Sequence, residues 1–350
     1  MKWLSGFNGP QTLGRGRAFW SAFVVTVIVL AAAPLLVESF VVNNLAYFLL
    51  WTFMAVGLSV IWGYAGILSF GQTAFFGIAG YGYGVISINL GEAHGLTWVA
   101  FIGALVLPTV FSAVVGYFMF YGGVRDVFVG IVTLSITLVM ETFMAQTAGP
   151  EWAIGAARLN GYNGMSNMPP LTVPGIGDSG LVLEGNAFYW FVLALSVVVY
   201  MGLRRLLNSR FGNVLVAIRE NPDRAEMLGY DVRFYQLAAF TVGGTLAGLS
   251  GVLYTTWGSY ITPSAMGLTA AALPIVWVAA GGRKDITTTL VATVFLLWLS
   301  QTLAVQGAQY ALILMGVILL LVVLLAPDGL VLLAIRGIRR VLASLRRTVN

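Results

Sequence analysis

The stretch Leu68 to Gly84, LSFGQTAFFGIAGYGYG, alternates small residues with large aromatics and carries no charge. Its glycines at 77, 80 and 82 invite comparison with a phosphate-cradling loop. Such a loop lies between a strand and a helix, with a lysine or an acidic partner nearby, and here the nearest basic residue is Arg125. Helix packing fits better: Ser69, Thr73 and Gly77 recur every four residues, as do Gly80 and Gly84, the small-xxx-small spacing that lets membrane helices approach closely. Ahead of them the run Gly63-Tyr64-Ala65-Gly66 breaks the helix, and polar Ser69 and Gln72 follow. Broken backbone at membrane depth is tolerated where protein buries it or where it lines a water-filled cavity. Ser69, Gln72, Gly77 and Gly80 are therefore candidates for close packing or for the wall of a passage. A second glycine-dense segment, FTVGGTLAGLSGVLY from Phe240 to Tyr254, adds Gly244 and Gly248 as a G-x-x-x-G pair, and Trp277 joins the set from a later span. Two such helices suggest a compact bundle with a pathway between them.

Other chemistry is scarce. The single histidine, His94, has no second imidazole with which to share a metal, and the absence of cysteine excludes thiolate sites and disulfides. There is no G-x-S-x-G nucleophile motif and no Walker lysine motif, so neither acyl transfer nor nucleotide hydrolysis is expected of this chain, and it binds no cofactor of its own. Ion coupling usually leaves carboxylates or histidines inside the bilayer. Glu141 is the one fair candidate, near the outer end of its span, while Asp126 and Asp285 fall at inner ends.

Positioning these residues requires spans, and composition supplies them. Hydrophobic residues make up 59% of the 350-residue chain and charged residues 9%, against about a quarter charged in soluble domains. The chain reads as an all-α integral membrane protein, a polytopic helical bundle. About ten spans are legible, at roughly 19–38, 43–62, 64–88, 97–120, 126–146, 187–204, 234–256, 266–281, 286–305 and 308–326. An even count puts both termini on one side. Seventeen of the 18 basic residues share that side, Arg158 being the exception, so both termini are expected to be cytoplasmic. The net charge of +5 follows membrane topology and implies no nucleic-acid partner. The first span has signal-peptide features in Ala31 to Ala33, but its apolar run continues through Leu35 to Val37 and Pro34 adjoins the cleavage point, so it reads as retained.

The domain plan is then a cytoplasmic N-terminal segment at 1–18, one transmembrane domain at 19–330 and a basic cytoplasmic tail at 331–350. Within the domain lie an outer loop at 147–186 and a charged inner loop at 205–233. The tail, with its leucines and arginines at helical spacing, is expected to lie as an interfacial helix on the anionic leaflet. In the inner loop, Asn221 can cap a helix that starts at Pro222, with Asp223 favourable in its first turn and Gly229 at the left-handed stop position. A helix of two turns is too short to stand alone. It reads either as a connector resting on its own bundle or as a docking element for a cytoplasmic partner. In the second reading Ala225, Met227 and Leu228 insert into a groove, and Arg219, Glu220, Arg224 and Glu226 surround them.

Those residues also carry a resemblance. AIRENPDRAEMLGYD, Ala217 to Asp231, resembles the cytoplasmic coupling loop of permease subunits from ATP-driven (ABC) importers of the branched-chain amino acid, urea and short-chain amide group. GYAGILSFGQTAFFGIAGY at 63–81, IVWVAAGGR at 275–283 and LLAPDGLV at 324–331 are similar to further signatures of that family, in the same order along the chain. Gln72 stands where relatives often have histidine, and Lys284-Asp285 where a glycine commonly follows. The resemblance implies two cytoplasmic ATPase subunits carrying ATP and Mg, a second related permease subunit, an extracytoplasmic solute-binding protein, and alternating access driven through the coupling helix. Residues 219, 220 and 224 to 229 would then be the ATPase-coupling set. The scarcity of charge in the spans suits a small neutral or zwitterionic solute. The rival class is an ion-coupled secondary transporter or channel that works without an ATPase.

Overall fold

Long apolar runs in a bilayer satisfy their backbone internally, and most of the described residues are helical. The computed structural model describes residues 6–90, 96–173, 180–325 and 329. In order the helices are α1 Arg17–Leu36, α2 Ser39–Leu58, α3 Gln72–Leu90, α4 Leu96–Tyr121, α5 Val127–Gln146, α6 Gly185–Leu207, α7 Arg210–Glu220, α8 Pro222–Met227, α9 Val232–Gly258, α10 Leu268–Gly281 and α11 Ile286–Leu325. A π-helical turn, Ser59–Tyr64, extends α2. Among the described residues seven helices are long and apolar enough to cross a membrane. The tail at 331–350, His94 and most of the LLAPDGLV motif lie outside the described residues.

Two boundaries differ from the sequence reading. The span drafted from 64 is not helical until Gln72. Between them Gly66 takes a positive φ of 79° and residues 67–71 are non-helical, with a bend at Phe70 and a turn at Gly71. Two hydroxyls of α5 support this stretch: the Phe70 amide donates to Thr133 Oγ1 at 3.1 Å, and Thr137 Oγ1 donates to the Phe70 carbonyl at 3.1 Å. The drafted spans 286–305 and 308–326 fall within α11, helical over 40 residues, and Gly329 packs against Gly281 and Gly282, just ahead of its start. The outer loop carries short antiparallel strand pairs, one of them made with the segment after α9. Strand β1 (Ala153–Ile154) pairs with β2 (Ala157–Arg158), β3 (Met165–Ser166) with β6 (Tyr260–Ile261) and β4 (Thr172–Val173) with β5 (Leu181–Val182). Tyr83 Oη donates to the Pro169 carbonyl at 2.8 Å, and the Asn89 amide group bonds Ile154 and Ala156, so the loop closes over the end of α3.

At the opposite, arginine-rich end the N-terminal residues 6–16 form a strap across the bundle. Arg204 near the end of α6 is fully buried and holds it, donating from Nε to the Phe7 carbonyl at 2.8 Å and from Nη1 to the Leu13 carbonyl at 3.0 Å and to Tyr200 Oη at 2.9 Å. Nη2 bonds the Gly14 carbonyl, and the guanidinium lies over the rings of Phe19 and Trp20. Asp285, 4% exposed, accepts the Leu13 amide at 2.6 Å and caps α11 through the Thr288 amide at 2.9 Å. Burial pushes its carboxyl above the usual carboxylate range, and the two amide donors pull it partly back.

Candidate functional site

The glycine faces of α3 and α9 meet directly. Gly251 lies against the Phe76 carbonyl, Gly248 against Pro108 of α4 and Ala79, and Gly244 against Ser112 and Phe75. On α3, Gly80 faces Thr255 and Ile261, and Gly77 faces Met266. These contacts are those of closely packed helices. Trp277 is 2% exposed, and its ring centroid lies 5.8 Å from that of Trp51, which stacks on Phe76 at 5.0 Å. Because the Pro108 ring is rigid, Gly248→Ala is expected to destabilise the bundle by ~1–3 kcal/mol. Gly80→Ala meets movable side-chain ends and is expected to be milder, and leucine at Gly80, Gly244 or Gly248 to block assembly. Gly202→Ala, facing open space on α6, is the control. Thermal aggregation of the purified variants ranks the four positions, and equal midpoints for Gly248→Ala and Gly202→Ala would refute the packing assignment.

Three of the sequence signatures, distant along the chain, converge at the arginine-rich end. Arg219 of α7 donates from Nη1 to the Gly63 carbonyl at 2.6 Å, and its stem lies against Gly66. Ser59 Oγ donates to the Arg283 carbonyl at 3.1 Å, Gly63 packs on that same carbonyl, and the Arg283 guanidinium sits 5.5 Å from the Trp62 ring centroid. Gly329, from the fourth signature, rests on Gly282. Tyr64 Oη donates to the Gln11 carbonyl of the strap at 2.8 Å. Arg219 also pairs with Glu220 at 2.7 Å, which holds the Glu220 carboxyl below the usual carboxylate range. The break ahead of α3 is thus clamped between the charged inner loop and the α10–α11 turn.

The short helix α8 has well-marked ends. Asn221 Oδ1 accepts the Arg224 amide at 2.9 Å, and Gly229 takes a φ of 87°. Ala225 is 2% exposed and packs on Val214 and Ile218 of α7, so it anchors α8 to its own chain instead of entering a partner's groove. This corrects the insertion set: Met227 and Leu228, 87% and 72% exposed, are the apolar residues that project. Arg224 and Glu226 are exposed beside them. A cleft of about 240 Å³ opens between α8, Gly66 and the α4–α5 turn, lined by Arg125, Asp126, Arg219, Asp223, Glu226 and Arg233 among others.

Deeper in, Ser69 is buried and accepts the Gly71 amide at 3.1 Å. Gln72 is 1% exposed. Thr133 and Thr137, whose side chains hold the break, were not marked as site residues from sequence, although i, i+4 threonines in an apolar span were a readable sign. Arg204 gave no such sign. Among the described residues no group of three or more His, Asp or Glu side chains is placed to hold a metal. Glu141 lies against Gly267 towards the outer-loop end of α5.

The described residues make a polytopic helical membrane protein with a clamped helix break and a short projecting helix. The family described as "Branched-chain amino acid transport system / permease component" matches residues 40–323, and the chain belongs to it. It is 24% identical to the high-affinity branched-chain amino acid transport system permease protein LivM of Escherichia coli K12, over 94% of this chain and 80% of that one. The LivM of Salmonella typhimurium is 24% identical over 88% of this chain and 74% of its own. The probable LivM of Methanocaldococcus jannaschii is 26% identical over 61% and 66%. No solved structure matches the chain. The protein is a transport subunit and not an enzyme.

Proposed function

We propose that this chain is a permease subunit of an ABC importer in the cytoplasmic (inner) membrane, carrying a branched-chain amino acid inward. Two cytoplasmic ATPases hold ATP and Mg, a second related permease completes the route, and an extracytoplasmic binding protein delivers the solute. The chain crosses the membrane about ten times, with both termini and α8 on the cytoplasmic side, in line with the distribution of its basic residues.

One observation supports this reading above the others: the Arg219 hydrogen bond to Gly63. Arg219 lies on α7, against which α8 is packed through Ala225. Gly63 lies at the break that leads through residues 67–71 into α3. A displacement of α8 by an ATPase is passed by packed side chains to a segment that already departs from regular helix, where a shift in φ and ψ breaks few hydrogen bonds.

The test is uptake of labelled leucine by proteoliposomes holding the full complex. Uptake is expected to require ATP and the binding protein, with urea and acetamide as comparison solutes. Arg219→Ala is expected to lower uptake about 10-fold while the complex stays assembled, the effect of removing one charge-assisted hydrogen bond. Uptake driven by an ion gradient without ATP would replace this reading with that of a secondary transporter.

A further inference from the structure

The inference starts from polar groups that the fold buries and leaves unanswered. Both side-chain polar atoms of Gln72, the first residue of α3, are buried without a hydrogen-bond partner among the described residues, and so is Thr73 Oγ1 beside it. A buried amide with neither its donor nor its acceptor engaged is unfavourable enough to call for an explanation. The residue ahead of the helix, Gly71, has no side chain with which to cap it. The first helical bond runs from the Phe75 amide to the Gly71 carbonyl, so the amides of the first turn have no partner within the helix.

Depth sharpens the point. Phe70 is bonded to Thr137, ten residues into α5, and at 1.5 Å per residue that is about 15 Å from the helix start. The apolar layer of a bilayer is about 30 Å thick, so α3 begins close to its middle. Side chains of a first turn lean towards the helix N-terminus, which directs Gln72 and Thr73 over the free amides. One turn further on, Phe76 carries the stacked ring of Trp51, whose indole N–H also lacks a partner.

We propose that the first turn of α3, with Gln72 and Thr73, is the permease's own binding subsite for the polar end of the solute. The α-carboxylate of an amino acid accepts from the free amides and from the Gln72 amide group, and the Trp51–Phe76 pair faces its aliphatic side chain. A discontinuous helix suits this use: its N-terminal dipole favours an anionic group where no water is at hand. The conformation described has the subsite closed, and the Arg219–Gly63 clamp stands at the other end of the same non-helical segment. The proposal rests on the amino-acid reading of the function.

The chain contains no cysteine, so a single thiol can be introduced as a reporter. Gln72→Cys, in the complete complex, is expected to react with a small methanethiosulfonate only while ATP and the binding protein drive turnover, and saturating leucine to slow that reaction at least about fivefold. Gln72→Glu, which sets a negative charge against the carboxylate, is expected to raise the KM for leucine uptake by roughly 10-fold or more with the complex still assembled. Gln72→Asn, which keeps the amide, is expected to be the mildest and guards against a folding defect. If the unmodified complex transports leucine while Gln72→Glu keeps its KM and the thiol is never protected, the subsite is refuted and the transport reading stands. If the unmodified complex does not move leucine, the amino-acid reading fails and this subsite assignment falls with it.

Discussion

Leu228→Asp is expected to release the ATPase from the membrane complex. Leu228 and Met227 project from the end of α8 with 72% and 87% of their surfaces exposed, on a helix whose position is fixed by the Asn221 cap, the Gly229 stop and the burial of Ala225. A large apolar pair held outside a charged loop has the character of an anchor, and a few buried anchors carry most of an interface's energy. A carboxylate in place of one is expected to weaken association by ~2 kcal/mol or more, about 30-fold in Kd. Arg224→Ala, at the rim, is expected to change it by less than about 1 kcal/mol, because rim charges stay solvated. Co-purification of the ATPase and solute-stimulated hydrolysis, measured on both variants, check the contrast. A Leu228→Asp complex that stays assembled and fully coupled would remove α8 from the interface. The membrane bundle itself should be unaffected, since neither residue packs into it.

Arg204→Ala is expected to be the most damaging single change to the bundle. It would strip three backbone carbonyls, at Phe7, Leu13 and Gly14, of a shared cationic donor and leave a void under Phe19 and Trp20. Bonds to a charged group are worth ~1.5–3 kcal/mol each but overlap in one side chain, so a total of ~3–5 kcal/mol is expected. The thermal midpoint of the detergent-solubilised protein should fall by ~5 °C or more. Arg204→Lys should not rescue it, because an ammonium cannot present the fork of donors that reaches three carbonyls. Its neighbour Arg205 is exposed, and Arg205→Ala should be close to neutral. Equal midpoints for the Arg204→Ala and Arg205→Ala proteins would show that the strap is not held in this way.

That pair also marks how far the sequence reaches. Arg204 and Arg205 are adjacent, of one type and at the end of one span, and hydropathy treats them alike. Helix geometry puts them about 100° apart, and only the fold decides that one direction meets the N-terminal strap and the other meets water. The strap itself, residues 6–16, had read as a simple cytoplasmic segment because its chief partners lie some 190 to 270 positions away.

What the sequence determined by itself were features that depend on neighbours along the chain. The membrane class follows from apolar length, and α8 follows from Asn221, Pro222 and Gly229, each acting within one turn. The run 63–66 was legible as a break for the same reason, and so was the capacity of the glycines for close approach. The tertiary structure alone decided what each of these meets. It turned Ala225 inward, packed the glycines of α3 against α9, and made pairs of short strands in the outer loop. It also brought Arg219, Gly63 and Arg283 together and left Gln72 buried without a partner. Periodicity says which side of a helix is small or apolar, but the packing partner is set by the closure of the whole bundle, which no local pattern records.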